Sequence, residues 1–227
     1  MKDAVTYTRD DLVSTITMDD GKVNAFSIPM LRALHEALDR AEQDGAMVVL
    51  QGRPGCFSAG FHLQTLAGRI LSFPAPVVVA CTGHAFPRGA LLLMAADTRL
   101  GADGPFRLGL NEVRIGLTLP WFAIALARHR LTPAHFDHAA VTGEMFDPQT
   151  AREAGLLDAV VSPAELSDRA QSVARELSSI DRSAHVATKL RVRKPVLDEL
   201  RRAVEAELAD PSPAAQQETG QPAPSDP

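Results

Sequence analysis

The sequence predicts an α/β fold, and three observations carry that reading. Two short apolar runs, Met47–Leu50 and Val77–Cys81, are rich in β-branched residues and read as buried strands. Segments with helical spacing of apolar residues alternate with them, and a strand, helix, strand, helix order implies parallel pairing. From Trp121 onward helical signals dominate, so the helices concentrate late.

Taken in order, alternation in Ala4–Tyr7 and Leu12–Met18 predicts an opening hairpin turned at Arg9-Asp10-Asp11. A helix should follow, with Ser27 as N-cap, Pro29 in its tolerant first turn, and Ile28, Leu31, Leu34, Leu38 and Ala41 at helical spacing until Asp44-Gly45. After the strand Val77–Cys81, Gly83 reads as a turn and Arg88–Ala96 as a helix. Thr98–Ala102 and Phe106–Leu108 read as short strands, and Trp121–His129 as a helix. Thr132-Pro133 and Asp147-Pro148 have the cap-plus-proline form of helix starts. Ser183–Leu208 should be helical on either side of Pro195, which is expected to end or kink one helix, and to pack onto the core or across subunits. The proline-rich stretch from residue 210 to 227 has no large apolar residue and reads as a disordered tail. The expected organisation is a core over 1–180, a helical region over 181–209 and that tail.

A chain of 227 residues, 45% of them hydrophobic, suffices for one globular unit with a sizeable core. A formal charge of −5 offers no basic face to a phosphate backbone, so a small molecule or a protein is a better partner than nucleic acid. Cys56 and Cys81 belong to no CxxC or Cys/His pair, which argues against a disulfide framework and a metal site. The N-terminal MKDAVTYTRDD lacks the apolar core of a signal peptide, and no apolar run approaches the ~20 residues that a bilayer demands. A cytoplasmic protein with no membrane partner is expected.

Three segments are unusual for a chain whose only task is folding. Cys56-Phe57-Ser58-Ala59-Gly60-Phe61 follows a strand and a glycine-rich turn, where small residues let a ligand approach backbone N–H groups. Thr82–Gly89 follows a buried strand and opens a helix, whose start presents N–H donors and a partial positive charge to an oxygen that becomes negative during reaction. Phe106–Leu117 places one carboxylate, Glu112, in a largely apolar stretch, where desolvation would favour it as a proton carrier. Singly, each has an ordinary alternative, a strand-to-helix turn or a surface charge.

Together they resemble the crotonase superfamily, also called the enoyl-CoA hydratase/isomerase family, from about Val5 to Leu208. The resemblance rests on Lys22-Val23-Asn24-Ala25-Phe26-Ser27, Phe57-Ser58-Ala59-Gly60, Pro76–Ala85 and Asn111-Glu112-Val113-Arg114-Ile115-Gly116, in that order. Asp97–Ala102 and Ala151–Asp158 are similar to the family as well. It implies a crotonase-like core of repeated ββα turns with a C-terminal helical region, a homotrimer or dimer of trimers, and a CoA thioester as substrate with no further cofactor. It also implies an oxyanion hole formed by the amides of Ala59 and Arg88, with Glu112 as the catalytic proton carrier. Asn24, Ala25, Phe57, Gly60, Phe61, Leu91 and Trp121 are then expected to contact substrate.

Departures from the family pattern shape the expected reaction. Hydratases of the family use a second glutamate where this chain has Leu91, and one glutamate suffices for an isomerase, which takes a proton from one carbon and returns it to another. Double-bond isomerisation is therefore favoured; hydration through Glu112 alone and a non-catalytic acyl-CoA-binding or assembly role are the alternatives. Arg88 stands where glycine is usual, so its side chain should point away from the thioester or reach toward CoA phosphate. His62 and His84 read as loop and turn residues. The short segment between Ala59 and Val77, where members place a helix, predicts a reduced lid over the pocket.

Overall fold

The computed structural model describes residues 4–58 and 64–209. The chain opens as the expected hairpin, β1 (Val5–Asp10) with β2 (Val13–Met18). The reversal is tighter than predicted: Arg9 and Asp10 extend β1, and Asp11 takes the left-handed conformation, φ 51°. Helix α1 (Ile28–Gln43) starts at Ser27, whose hydroxyl accepts the Met30 N–H at 3.4 Å. Its core face is Met30, Leu34, Ala37, Leu38 and Ala41; Ile28 lies in the first turn and is exposed.

The apolar runs form a six-stranded sheet in the order β1-β2-β3-β5-β7-β10. Its members β3 (Met47–Gln51), β5 (Val77–Cys81), β7 (Thr98–Ala102) and β10 (Ala159–Val161) run parallel to β2. Val48, Val49 and Val77–Ala80 are fully buried, as a strand covered on both faces requires. Helix α7 (Leu166–Leu177), which the sequence reading had not separated from the late helical region, packs on β2, β3, β5 and β7.

A second sheet was not foreseen. It has the order β4-β6-β8-β9, made of β4 (Gly55–Ser58), β6 (Gly83–Ala85), β8 (Leu108–Gly109) and an antiparallel edge, β9 (Met145–Phe146). Gly83, read as a turn, begins β6, and the strand expected over Phe106–Leu108 is displaced to Leu108–Gly109. The chain therefore repeats one unit. A strand of the large sheet leads to a short strand of the small sheet and then to a helix: β3 and β4 to α2 (Gln64–Ser72), β5 and β6 to α3 (Arg88–Ala95), β7 and β8 to α4 (Trp121–Arg130). This is the expected α/β core of ββα turns.

The shortened segment before Val77 still carries a helix, α2. The segment is short, yet nine residues of it are helical, with Leu66, Ala67, Ile70 and Leu71 buried and packing against α3. Helices α5 (Pro133–Thr142) and α6 (Pro148–Glu153) begin at the predicted prolines, and Asp147 caps α6 by accepting the Thr150 N–H at 2.8 Å. Helix α8 (Arg182–Ala209) neither ends nor breaks at Pro195, because that residue lies on the exposed side of a helix held along its other side by the core. Its buried stripe is Lys189, Arg193, Val196, Leu200 and Ala203, against α2 and α4. The predicted tail lies outside the described residues. Among them no helix is long and apolar enough to cross a membrane, and no His, Cys, Asp and Glu group is arranged to hold a metal ion. Cys56 and Cys81 are free thiols, and burial pushes Cys81 up to about 12.

At the end of α4, His129 sits among Arg130, Arg193 and Arg99. Burial first, and then these three cations, push its pKa down to about 4 from an ordinary 6.5. Between those values the unfolded chain binds a proton that the folded chain refuses, so stability is complete above pH 6.5 and falls on acidification toward pH 4. Thermal melting followed across this window should show a shallower decline for His129→Gln than for the parent; parallel declines would contradict this assignment.

Candidate active site

The small sheet brings the three singled-out segments to one edge. Its register sets Ser58 beside Ala85 and Ala85 beside Leu108, all on parallel strands. The strands therefore end on the same side: β4 at Ser58, β6 ahead of Phe86–Arg88, and β8 ahead of Leu110–Glu112. The carboxyl ends of parallel strands are where open α/β folds form ligand crevices.

The first of these exits is braced by Asn24. This residue is fully buried in a left-handed conformation, φ 51°, and its side-chain amide donates to the carbonyls of Met18 and Phe57, both at 3.0 Å. Its Oδ1 accepts from the Asp20 N–H, and its own carbonyl accepts the Ser58 hydroxyl at 2.6 Å. Asn24, expected to contact substrate, is thus committed to fixing the end of β4, and the buried Ser58 hydroxyl is committed to Asn24. Asp20 organises the same loop by accepting the N–H groups of Lys22, Asn24 and Ala25. Burial works against its ionisation, but those amides and nearby Arg53 outweigh it and hold the carboxyl below its usual range. Phe57 is fully buried, and Ala25 is half-buried with its N–H on Asp20. Ala59, Gly60, Phe61 and His62 lie outside the described residues.

The second exit opens α3. Arg88 is its first residue, and N–H groups of a first helical turn point forward out of the helix. Gly89 has a specific reason to be glycine, since a Cβ there would collide with the carbonyl oxygen of Ser58. The end of β4 and the start of α3 are therefore in direct backbone contact. The Arg88 side chain does not reach outward toward a phosphate: the residue is 4% exposed, and its guanidinium lies 5.3 Å from the ring centre of buried Phe122 on α4. Phe122 is a neighbour the sequence reading missed, because nothing local links it to Arg88. Leu91, one turn further, is fully buried.

The third exit carries the acid. Glu112 is 3% exposed and is the only buried carboxylate among the described residues of a chain with 28 acidic side chains. A 3-10 turn, Val113–Ile115, begins directly after it and closes at Gly116 in the left-handed conformation. The Glu112 carbonyl accepts the N–H groups of Ile115 and Leu117 at 3.0 and 2.9 Å. Val113 and Ile115 face solvent while Glu112 faces in. Just before it, Gly109 (φ 149°) lets β8 approach β9, where a Cβ would stand 2.9 Å from the Glu144 carbonyl oxygen.

Trp121 stands apart from this edge. It is 57% exposed and lines a groove of about 200 Å³ between α4 and α8, with Arg128, Glu199 and Arg202, not with Arg88, Leu91 or Glu112. Its indole lies at the start of α4 on the face turned from the core, so helical position rather than residue type decided its placement. His84 accepts the Arg107 N–H at Nδ1 and meets Phe86 and Phe106 edge-on, a packed residue beside the edge.

Comparison with known proteins joins this geometry. The sequence pattern of the family described as enoyl-CoA hydratase/isomerase matches residues 8–71 and 61–221. An enoyl-CoA hydratase/isomerase family protein from Pseudomonas syringae is 46% identical, covering 90% of this chain and 96% of that one, with a TM-score of 0.88. A Mycobacterium tuberculosis protein, described in one structure as an enoyl-CoA isomerase and in another as a probable enoyl-CoA hydratase, is 38% identical over 92% and 100% of the two chains, TM-score 0.89. An enoyl-CoA hydratase from Mycobacterium marinum is 39% identical over 91% and 99%, TM-score 0.88.

Replacing Asn24 by Ala would leave the buried Met18 and Phe57 carbonyls without their donor and put alanine, which tolerates the left-handed region less well than asparagine, at φ 51°. Chemical denaturation should show a loss of about 3 kcal/mol; a loss within the noise of a surface substitution would contradict the bracing role.

Proposed function

We propose, from the premise that the chain belongs to the enoyl-CoA hydratase/isomerase family, that it moves the double bond of an enoyl-CoA thioester. The observation that carries the reading is the shared edge of β4, β6 and β8, on which the ends of these strands meet beside the start of α3 at Arg88 and the buried Glu112. The thioester carbonyl is held by the amides of Ala59 and Arg88, which stabilise the negative oxygen of an enolate. Such a donor contributes about 10²–10³ in rate.

Glu112 supplies the proton transfer. Its carboxylate takes a proton from C2 of a 3-enoyl-CoA, the electron pair spreads over the thioester and the former double bond, and the carboxylic acid returns the proton at C4. The product is the 2-enoyl-CoA, and Glu112 ends as it began. One carboxylate completes this cycle, whereas addition of water requires a second group to orient the water. Buried Leu91 offers no such group at the position where hydratases of the family use glutamate.

The test is conversion of a 3-enoyl-CoA to the conjugated 2-enoyl-CoA, followed by the absorbance of the conjugated thioester. The parent should turn over, and Glu112→Gln should be slower by about 10²–10⁴ with CoA-ester binding retained. Formation of 3-hydroxyacyl-CoA from a 2-enoyl-CoA, lost in the same variant, would assign hydration instead, and binding with no turnover of either substrate would assign the non-catalytic role.

A further inference from the structure

The helix that begins at the active edge ends in a cluster of buried cations. The last carbonyls of α3 lack donors within the helix and carry the negative end of its dipole. Arg130 donates Nε to the Met94 carbonyl at 2.8 Å and Nη2 to the Ala96 carbonyl. Arg193, reaching in from α8, donates Nη2 to the same Ala96 carbonyl at 3.2 Å and pairs with Asp97 at 2.8 Å. Its other arm, Nη1, donates to the Leu71 carbonyl in the last turn of α2 at 3.0 Å. Lys189, one helical turn away, completes the cluster with bonds to Asp97 at 2.7 Å and the Ala75 carbonyl at 3.2 Å.

One guanidinium therefore ties together the far ends of α2 and α3. These are the two helices that follow β4 and β6 in the chain, and α3 begins at Arg88. Every residue of α3 is buried, and its eight residues span about 12 Å, short enough to move as a rod. A shift at the Ala96 end is carried to the Arg88 end. The Arg193 side chain is 7% exposed, so its two arms are held by geometry rather than shared with water. Only a planar fork serves both directions at once; a lysine amine, a single point of charge, cannot reproduce it.

We infer that Arg193 is a positioning residue for the reaction, holding the far end of α3 against α2 and with it the place of the Arg88 amide at the thioester oxygen. This rests on the assignment of Arg88 as a donor. The amides act on the charge that develops in the transition state more than on the ground-state carbonyl, so a misplacement should lower kcat and leave KM nearly unchanged. An error of about 1 Å in such geometry costs on the order of 10²-fold.

The experiment compares the full-length parent with Arg193→Lys, Arg193→Ala and Glu112→Gln, each normalised to folded protein by circular dichroism. Arg193→Lys should lose about 10- to 100-fold in kcat with KM within a few-fold of the parent. Guanidinium added well below denaturing concentration should restore part of the kcat of Arg193→Ala, and methylammonium should not. A purely structural role would lower the melting temperature while leaving kcat per folded molecule unchanged, and that result overturns the inference. If the Arg193 variants fail to fold, Arg130→Lys takes their place, since Arg130 holds α3 at Met94 and Ala96; parental kcat in that variant overturns the inference as well. Parental activity in Glu112→Gln would instead sink the proposed function, so the two failures are distinguishable.

Discussion

Parallel pairing of β4, β6 and β8 is the constraint on which the whole site depends. Each of these strands is two to four residues long and holds few ladder bonds, so the small sheet cannot stand alone. It is carried by the large sheet: β3, β5 and β7 lie side by side with both faces buried, and each hands its chain to one short strand. Because the parents run in one direction, the short strands do too. Their ends therefore share an edge. Gly89 allows the start of α3 to touch the end of β4, and Asn24 holds that end in place.

Charge in the interior is confined to a few places, and the placement is economical. Burying a charge is costly unless it is well partnered, yet Arg88, Arg99, Glu112, Lys189 and Arg193 are all buried. Arg88 and Glu112 lie at the start of α3 and at the exit of β8. Lys189 and Arg193 gather with Arg130 and Asp97 at the opposite end of α3, where the helix carbonyls favour cations. The core thus has a proposed reactive end and an anchored end joined by one fully buried helix, and α8 packs at the anchored end.

The long elements were legible in the sequence because they are written locally. Val77–Cys81 is continuous and β-branched, Ser27 and Asp147 are oxygen-bearing residues ahead of a proline, and each signal needs no knowledge of the rest of the chain. The small sheet was illegible for the converse reason. Strands such as Gly83–Ala85 are shorter than the period that reveals a strand, and exist because other backbones pass close by. Glu112 was legible as an acid in an apolar setting, and its burial is in keeping with that. Arg193 was not, since an arginine within a charged helix reads as a solvated one until the stripe Lys189, Arg193, Val196, Leu200 is seen to face the core. Asn24 was expected on resemblance to contact substrate; its bracing of β4 is visible only once Met18 and Phe57 are brought beside it.

The central claim is that the two amides and the acid address one thioester. A crystal structure of the protein with a non-hydrolysable CoA thioester analogue tests it most directly. The account predicts the carbonyl oxygen within about 2.7–3.1 Å of the N–H groups of residues 59 and 88, with a Glu112 carboxylate oxygen against the carbon next to the carbonyl. A thioester lodged elsewhere, or a Glu112 carboxylate turned from the bound acyl group, would contradict it.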